Sequence, residues 1–222
     1  MDRRLFLLAG TAWSLRASAE PPAGGWRPGV HYVVVDGYRA LNRPGRVAVA
    51  DVFSYTCIHC YRLESHLQAW LQRKPAYVDF VRIPIQWNEK QQAYARLYYT
   101  LQVLTRTDLH EAVFSAIQVQ KASLYTADPT ETLALQLKFA SQHGVAADEF
   151  TRARDSAAVA TALRADSLLL DRLPTTATPT IAVNGKYVTD PARCPDAANH
   201  TDDVNLDSLL EITDHLVSIA AT

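Results

Sequence analysis

The stretch of sequence that decides the fold is residues 47–61, VAVADVFSYTCIHCY. Its almost unbroken apolar start is typical of a strand covered on both faces of a sheet, and we place that strand at residues 47–54. Cys57 and Cys60 follow at the head of a predicted helix that ends near Arg73. A thiol at a helix N-terminus lies near unpaired N–H groups and the positive end of the peptide dipoles, which favour its thiolate form. Because thiolates attack disulfides and thiols do not, this placement predicts a redox-active pair.

Three other interpretations of the motif Cys57-Ile58-His59-Cys60 compete with this one. Haem attachment needs a histidine directly after the second cysteine, where this sequence has Tyr61. A structural zinc site needs two more ligands, and the remaining cysteine is Cys194. An inert structural disulfide across so short a loop would remove little chain entropy. We therefore favour a redox dithiol, expect no bound metal, and keep a metal-binding or holdase module as the alternative from another class.

Residues 1–19 indicate an export signal. Arg3-Arg4 precede the apolar residues 5–10, and Ala17-Ser18-Ala19 form a small-x-small cleavage site before Glu20. The apolar run is too short for a permanent membrane-spanning helix, and the Sec and twin-arginine routes both remain open. We expect an exported protein, not an integral membrane protein, that works where disulfides persist.

Composition excludes some partners. Removing residues 1–19 leaves 19 basic and 22 acidic side chains, so the formal charge changes from −1 to −3. This lack of a basic excess argues against binding to nucleic acid or to an anionic membrane. A hydrophobic content of 48% is enough for a globular core, and the length suits one large domain or a domain with an insertion.

The periodicity along the chain predicts a β-α-β unit followed by a helical block. Strands are expected at residues 32–35 and 77–83, on either side of the central strand and its helix, and the crossover implies a parallel pair. Helical spacing then continues over residues 87–172. It includes a helix that starts at Asp128-Pro129 and stops at Gly144.

The end of the chain predicts a return to the sheet. Residues 179–189 form a β-hairpin with a type I′ turn at Asn184-Gly185, and a last helix follows. We predict an α/β protein with a thioredoxin-like fold over residues 27–86 and 173–222, and an inserted all-helical domain over residues 87–172.

Two segments resemble the bacterial DsbA family of periplasmic thiol:disulfide oxidoreductases, in the thioredoxin superfamily. They are residues 53–61, FSYTCIHCY, and residues 178–187, TPTIAVNGKY. Two positions depart from the commonest family pattern: Ile58 stands where Pro is usual, and Thr178 where Val is frequent. These departures leave the redox poise and part of the partner choice open.

The resemblance implies roles for the motif residues. Cys57 would be the exposed nucleophile and Cys60 the buried resolving thiol, while His59 would stabilise the Cys57 thiolate. The dipeptide Ile58-His59 would tune the redox poise. A stabilised dithiol makes its disulfide a strong oxidant, as it does in this family.

The resemblance also implies roles for residues outside the motif. Thr178-Pro179 would carry a cis-proline that binds substrate beside the disulfide. Asp51 interrupts an apolar strand, and a buried carboxylate needs a partner or a proton. The family has an acid–base pair at the positions of Asp51 and Arg82, so we expect these two to pair and to exchange protons with Cys60.

Activity, partners and cofactors follow from the same resemblance. We expect a monomeric periplasmic enzyme that donates the Cys57–Cys60 disulfide to reduced exported proteins. A DsbB-like membrane partner would reoxidise it, and no cofactor beyond the disulfide is expected. A periplasmic reductase or isomerase is the alternative within the redox class, although known isomerases carry an N-terminal dimerisation domain that we do not find.

The remaining reactive side chains are interpreted as structural. Cys194 is expected to be a partly buried spare thiol. Five histidines are read as surface or packing residues: His31, His110, His143, His200 and His215. Tyr94, Tyr98 and Tyr99 are expected in the core of the insertion.

Overall fold

The computed structural model describes residues 25–35, 43–195 and 202–221. The predicted export signal and its cleavage site lie outside these residues. Within them, a five-stranded sheet has the order β1-β5-β4-β2-β3. Its strands are β1 Val33–Val34, β2 Val47–Phe53, β3 Val78–Pro84, β4 Thr180–Val183 and β5 Tyr187–Thr189. The predicted parallel pair is confirmed, because β2 and β3 run parallel.

The helices follow the order expected from the periodicity. They are α1 Ile58–Arg73, α2 Glu89–Val103, α3 Leu109–Phe114 with a π-helical extension Ser115–Val119, α4 Pro129–Gln142, α5 Ala147–Arg154, α6 Ala157–Leu170 and α7 Asp202–Ala220. Helices α2 to α6 lie between β3 and β4 in the chain, where the insertion is predicted. Asp128 caps α4 by accepting hydrogen bonds from the N–H groups of Thr130 and Glu131. No helix of the described ranges is long and apolar enough to cross a membrane.

Strand β2 is buried along its whole length, as its apolar sequence predicts. Val49 belongs to the core between the sheet and helices α1 and α7. Ala50 and Val52, on the other face, pack with Leu169 and Leu170 of α6. Phe53, at the end of β2, belongs to the core of the helical block. The strand therefore delivers the cysteine motif to the junction between the sheet and the helical block.

The hairpin of β4 and β5 brings a distant segment to that junction. Asn184 and Gly185 have φ angles of 52° and 61°, and the Lys186 N–H donates to the Val183 carbonyl at 3.0 Å. The predicted type I′ turn is confirmed. Strand β4 lies antiparallel to β2, with Thr180 opposite Val52. The residues just before β4 therefore lie beside the end of β2 from which the motif follows.

Candidate active site

Cys57 is the N-cap of α1, as its sequence position predicts. Its backbone is extended, with φ −95° and ψ 120°. Its Sγ accepts a hydrogen bond from the Cys60 backbone N–H at 3.4 Å. The sulfur thus occupies the place of a capping oxygen and satisfies one of the unpaired donors at the helix start.

These surroundings stabilise the thiolate of Cys57. A hydrogen bond from the Cys60 thiol contributes most, burial acts in the opposite direction, and the Thr178 hydroxyl and the backbone N–H groups of Cys60 and His59 add to it. Together they lower the pKa of Cys57 to about 5. At neutral pH Cys57 is therefore mainly a thiolate, which is the nucleophilic form.

Cys60 has the opposite environment. Its side chain is 2% exposed, and both cysteines are free thiols in this structure. Burial, then the hydrogen bond to Cys57 and that residue's negative charge, raise the pKa of Cys60 well above its usual value. The pair thus consists of one accessible thiolate and one buried thiol that supports it.

The segment before β4 contacts the motif directly. The Thr178–Pro179 peptide bond is cis, so that prediction is confirmed. Sγ of Cys57 lies 3.1 Å from the Thr178 carbonyl oxygen, across 121 positions of sequence. The structure therefore brings Thr178 and Cys57 together, as the sequence interpretation requires.

Ile58 and His59 lie at the exposed start of α1. Ile58 is 38% exposed, and His59 also belongs to the exposed class. The backbone N–H of His59 helps to lower the pKa of Cys57 through a hydrogen bond. A role of the His59 imidazole in stabilising the thiolate stays a prediction.

Asp51 is buried beneath the motif, on the same face of β2 as Val49 and Phe53. It is 1% exposed, and among the described residues its Oδ1 has no hydrogen-bond partner. Burial, followed by the charge of Glu64, raises the pKa of Asp51 to about 8, and Arg82 only partly opposes this. The charge of Asp51 also contributes to the raised pKa of Cys60, so the two groups lie within electrostatic reach of each other.

The expected direct pair between Asp51 and Arg82 is wrong. The two residues are register partners in β2 and β3. However, Arg82 donates from Nη2 to Glu64 Oε2 at 2.7 Å and from Nε to Glu64 Oε1 at 3.2 Å. A carboxylate that offers both oxygens to one guanidinium forms a bidentate pair. Glu64 of α1 therefore holds Arg82, although Asp51 lies opposite it.

His110 is a packing residue, in contact with the rings of Phe53 and Phe114, but it also makes polar contacts that the sequence interpretation did not include. It is 6% exposed. Its Nε2 lies 3.0 Å from Glu64 Oε1 and its Nδ1 lies 2.8 Å from the Tyr55 hydroxyl. The sequence contains a signal for Glu64: Cys60, Glu64 and Leu67 share the helical spacing of a buried stripe. A charge on such a stripe indicates a buried partner.

The remaining thiol and the tyrosines have the structural roles expected of them. Cys194 is 5% exposed, and its Sγ lies 3.1 Å from the Asn205 carbonyl oxygen, so it is a buried spare thiol. Tyr94 and Tyr98 are buried in the core of the helical block, as predicted. Among the described residues, no group of three or more His, Cys, Asp and Glu side chains could hold a metal ion.

Comparison with known proteins identifies the family. A family model described as thioredoxin (Thioredoxin_4) matches residues 43–202, more than half of the chain. The thiol:disulfide interchange protein DsbA of Bordetella pertussis is 32% identical over 160 residues, 72% of this chain and 74% of that protein. The DsbA of Pseudomonas aeruginosa (strain PAO1) is 30% identical over 186 residues, 83% and 85% of the two chains. The chain belongs to the DsbA family.

Solved DsbA structures share the fold. The crystal structure of Pseudomonas aeruginosa DsbA has a TM-score of 0.76 and 26% identity, covering 88% of this chain and 94% of that one. The oxidoreductase DsbA from Xylella fastidiosa gives a TM-score of 0.73 and 27% identity, covering 90% and 97%. The predicted thioredoxin-like fold is confirmed, and the protein is a DsbA-type thiol:disulfide oxidoreductase.

Proposed function

We propose that the protein is a periplasmic oxidase that donates the Cys57–Cys60 disulfide to reduced, folding exported proteins. The observation that carries this proposal is the Cys57 sulfur at the N-cap of α1, which lies within reach of hydrogen-bond donors from Cys60 and Thr178. These donors stabilise the reduced form of the pair. A stabilised dithiol makes the corresponding disulfide a strong acceptor of electrons.

The reaction consists of two exchanges. A substrate thiolate attacks Sγ of Cys57, a substrate–Cys57 bond forms, and the Cys57–Cys60 bond breaks with its electron pair on Cys60. A second substrate thiolate then attacks the substrate sulfur of this mixed disulfide, and Cys57 leaves as a thiolate. Two electrons pass to the protein, and the substrate gains one disulfide. Cys57 suits both steps, since it is the more accessible sulfur and a stabilised leaving group.

Cys60 needs a proton when it leaves. Its buried thiolate is disfavoured, so the first exchange is easier if a nearby acid protonates the sulfur. Asp51 suits this role, because its pKa of about 8 keeps it protonated at neutral pH and it lies within electrostatic reach of Cys60. We assign the proton exchange to Asp51; Arg82 forms its ion pair with Glu64 and acts on Asp51 through its charge.

Substrate binding is assigned to the loop beside the motif. Thr178 contacts Cys57, so a peptide whose sulfur reaches Cys57 would pass along Thr178 and Pro179. The exposed Ile58 and His59 would face the same peptide and tune the redox poise of the pair. This arrangement needs no cofactor beyond the two sulfurs.

The remaining partners follow from the family. We assign reoxidation to a DsbB-like membrane protein, and export to the signal at residues 1–19, by the Sec or the twin-arginine route. We also propose that the protein acts as a monomer, which a site built from one chain allows.

Equilibration with glutathione tests the oxidase directly against the reductase or isomerase alternative. The fraction of the Cys57–Cys60 pair that is oxidised would be measured across defined ratios of reduced to oxidised glutathione. The pair of an oxidase should stay reduced even when oxidised glutathione is abundant. Its reduction potential should therefore lie well above that of thioredoxin, which is about −270 mV. A potential near thioredoxin's would contradict the proposed direction.

A further inference from the structure

A buried polar cluster lies beside the cysteine motif and joins separate parts of the chain. We call Tyr55, Glu64, Arg82 and His110 the buried cluster. Glu64 is at its centre, with Arg82 on one side and His110 on the other. His110 comes from α3 of the helical block, whereas Glu64 comes from the helix that starts at Cys57. The side chains of Glu64 and His110 are each 7% exposed.

The orientation of Arg82 within this cluster determines whether its guanidinium can pair with Asp51. Arg82 is the register partner of Asp51, and an arginine beside a buried carboxylate normally pairs with it. Here both oxygens of Glu64 accept hydrogen bonds from Arg82 instead. Oδ1 of Asp51, within the described residues, is left without a hydrogen-bond partner.

We propose that Glu64, held in place by His110, is a positioning residue that keeps the Arg82 guanidinium from pairing with Asp51, so that Asp51 carries the proton Cys60 needs. The inference rests on the proposed proton exchange between Asp51 and Cys60. It adds a role for the helical block, which supplies His110.

His110 is suited to this task as a neutral imidazole. A carboxylate can only accept hydrogen bonds, so Nε2 of His110 must donate to Glu64. Nδ1 then accepts from the Tyr55 hydroxyl, 2.8 Å away. Burial lowers the pKa of His110 although Glu64 opposes this, which keeps the ring neutral. Burial alone would raise the pKa of Glu64, but hydrogen bonds and charges from His110 and Arg82 bring it below its usual value.

The charged and titratable neighbours of Asp51 come from three elements. Glu64, Cys57 and Cys60 reach it from α1, Arg82 from β3 and Tyr98 from α2. Glu64 and Cys57 favour the neutral acid, and Arg82 alone favours the carboxylate. Loss of the negative charge on Glu64 removes a repulsion and also frees the guanidinium to pair with Asp51.

The test is the titration of Asp51 itself, followed by carbon NMR of a protein with labelled aspartate carboxyl groups and assigned by comparison with Asp51→Asn. In Glu64→Gln the titration midpoint of Asp51 should fall by about one pH unit or more, as expected when a nearby charge changes. His110→Phe should move the midpoint in the same direction by less, because Arg82 still holds Glu64. A midpoint that is unchanged in Glu64→Gln would overturn the proposal.

Asp207→Asn is the matched control. Asp207 also accepts from a histidine of α1, His66, with Nδ1 and Oδ1 2.7 Å apart, but it lies on α7 and is half exposed. This variant should leave the Asp51 midpoint where it is. An equal fall in Asp207→Asn would mean that the change reports a general loosening of α1, which would also overturn the proposal.

A measurement on the unaltered protein covers the case in which Glu64→Gln does not fold. Nitrogen NMR of His110 at neutral pH should show a neutral ring protonated on Nε2. A ring protonated on Nδ1, or on both nitrogens, would contradict the proposed arrangement. Oxidation of a dithiol peptide by the unaltered protein separates the two claims: if it occurs and the Asp51 midpoint does not respond to Glu64, only the further inference fails.

Discussion

Two residues of the site have pKa values that are shifted in opposite directions relative to the charged form, although both residues are at least partly buried. The pKa of Cys57 is lowered, which favours its thiolate, and that of Asp51 is raised, which favours its neutral acid. Cys57 is surrounded by donors that can reach its sulfur, whereas Asp51 has burial and a neighbouring negative charge. Burial opposes the charged form of either group, so the difference lies in the hydrogen bonds to Cys57 and in the charge of Glu64 near Asp51. The same site therefore holds an anionic sulfur and a protonated acid.

The two cysteines of the motif should respond differently to replacement by serine. Cys57→Ser should abolish oxidation of a dithiol peptide, because the accessible sulfur is gone. Cys60→Ser should accumulate mixed disulfides between Cys57 and other thiol proteins, because the resolving thiol is missing. Non-reducing gels and mass spectrometry would measure both. Cys194→Ser is the control and should keep full activity, and a Cys57→Ser protein that still oxidised the peptide would refute the nucleophile assignment.

Replacing Asp51 by Asn should stabilise the reduced protein at neutral pH. Folding raises the pKa of Asp51 from 3.8 to about 8, so the folded state must hold a proton that the unfolded chain releases. A difference of one between two pKa values corresponds to about 1.4 kcal/mol, so the gain in the free energy of unfolding should be roughly 2–4 kcal/mol. Denaturant unfolding at constant pH would measure it.

The pH dependence fixes the sign of that effect. Between pH 3.8 and about 8 the folded state binds more protons at Asp51 than the unfolded state, so this group makes stability fall as pH rises. The gain in Asp51→Asn should therefore grow across this window and vanish at its acidic end. Asp79→Asn is the control: Arg43 and Arg46 bind that carboxylate, so its loss should not stabilise the protein. An Asp51→Asn protein less stable than the original at neutral pH would contradict the account.

At the scale of elements, local sequence signals predicted most of the fold. The apolar run of β2, the Asp128 cap of α4 and the Asn184-Gly185 turn each act over a few residues, so their chemistry can be read from the chain. The partner of Arg82 could not be read in this way. Strand spacing allows Asp51 as the partner of Arg82, and helix spacing allows Glu64. Only the packing of α1 on β3 decides between the two carboxylates. His110 is harder still, because its partners lie 46 and 55 positions away.

The hairpin that carries Thr178 to the motif should depend on its turn. Gly185 has a φ of 61°, where a side chain costs about 1–2 kcal/mol. Gly185→Ala should therefore lower the free energy of unfolding by about 1 kcal/mol, as measured with denaturant. Lys186→Ala, at the next position, should change it by only a few tenths of a kcal/mol, as an ordinary surface substitution does. Equal losses in both variants would show that the turn conformation is not the cause.

At the scale of the molecule, the site lies where the sheet meets the helical block. β2 and α1 supply the cysteines, the segment before β4 supplies Thr178, and α3 supplies His110. The alternation of β-α-β, helices and β-β-α predicted this layout. It could not predict how closely α3 packs against α1, because such packing depends on the three-dimensional shapes of both helices. The environment of the two cysteines is therefore formed by segments that are distant in sequence.

The most direct measurement of the central claim is the titration of the Cys57 thiolate by its ultraviolet absorbance in the reduced protein. Cys60 and Cys194 do not interfere, because burial raises the pKa of both thiols, that of Cys194 to about 12. The account predicts a single midpoint near pH 5 that is absent in Cys57→Ser. A midpoint near that of free cysteine, about 8.5, would contradict it.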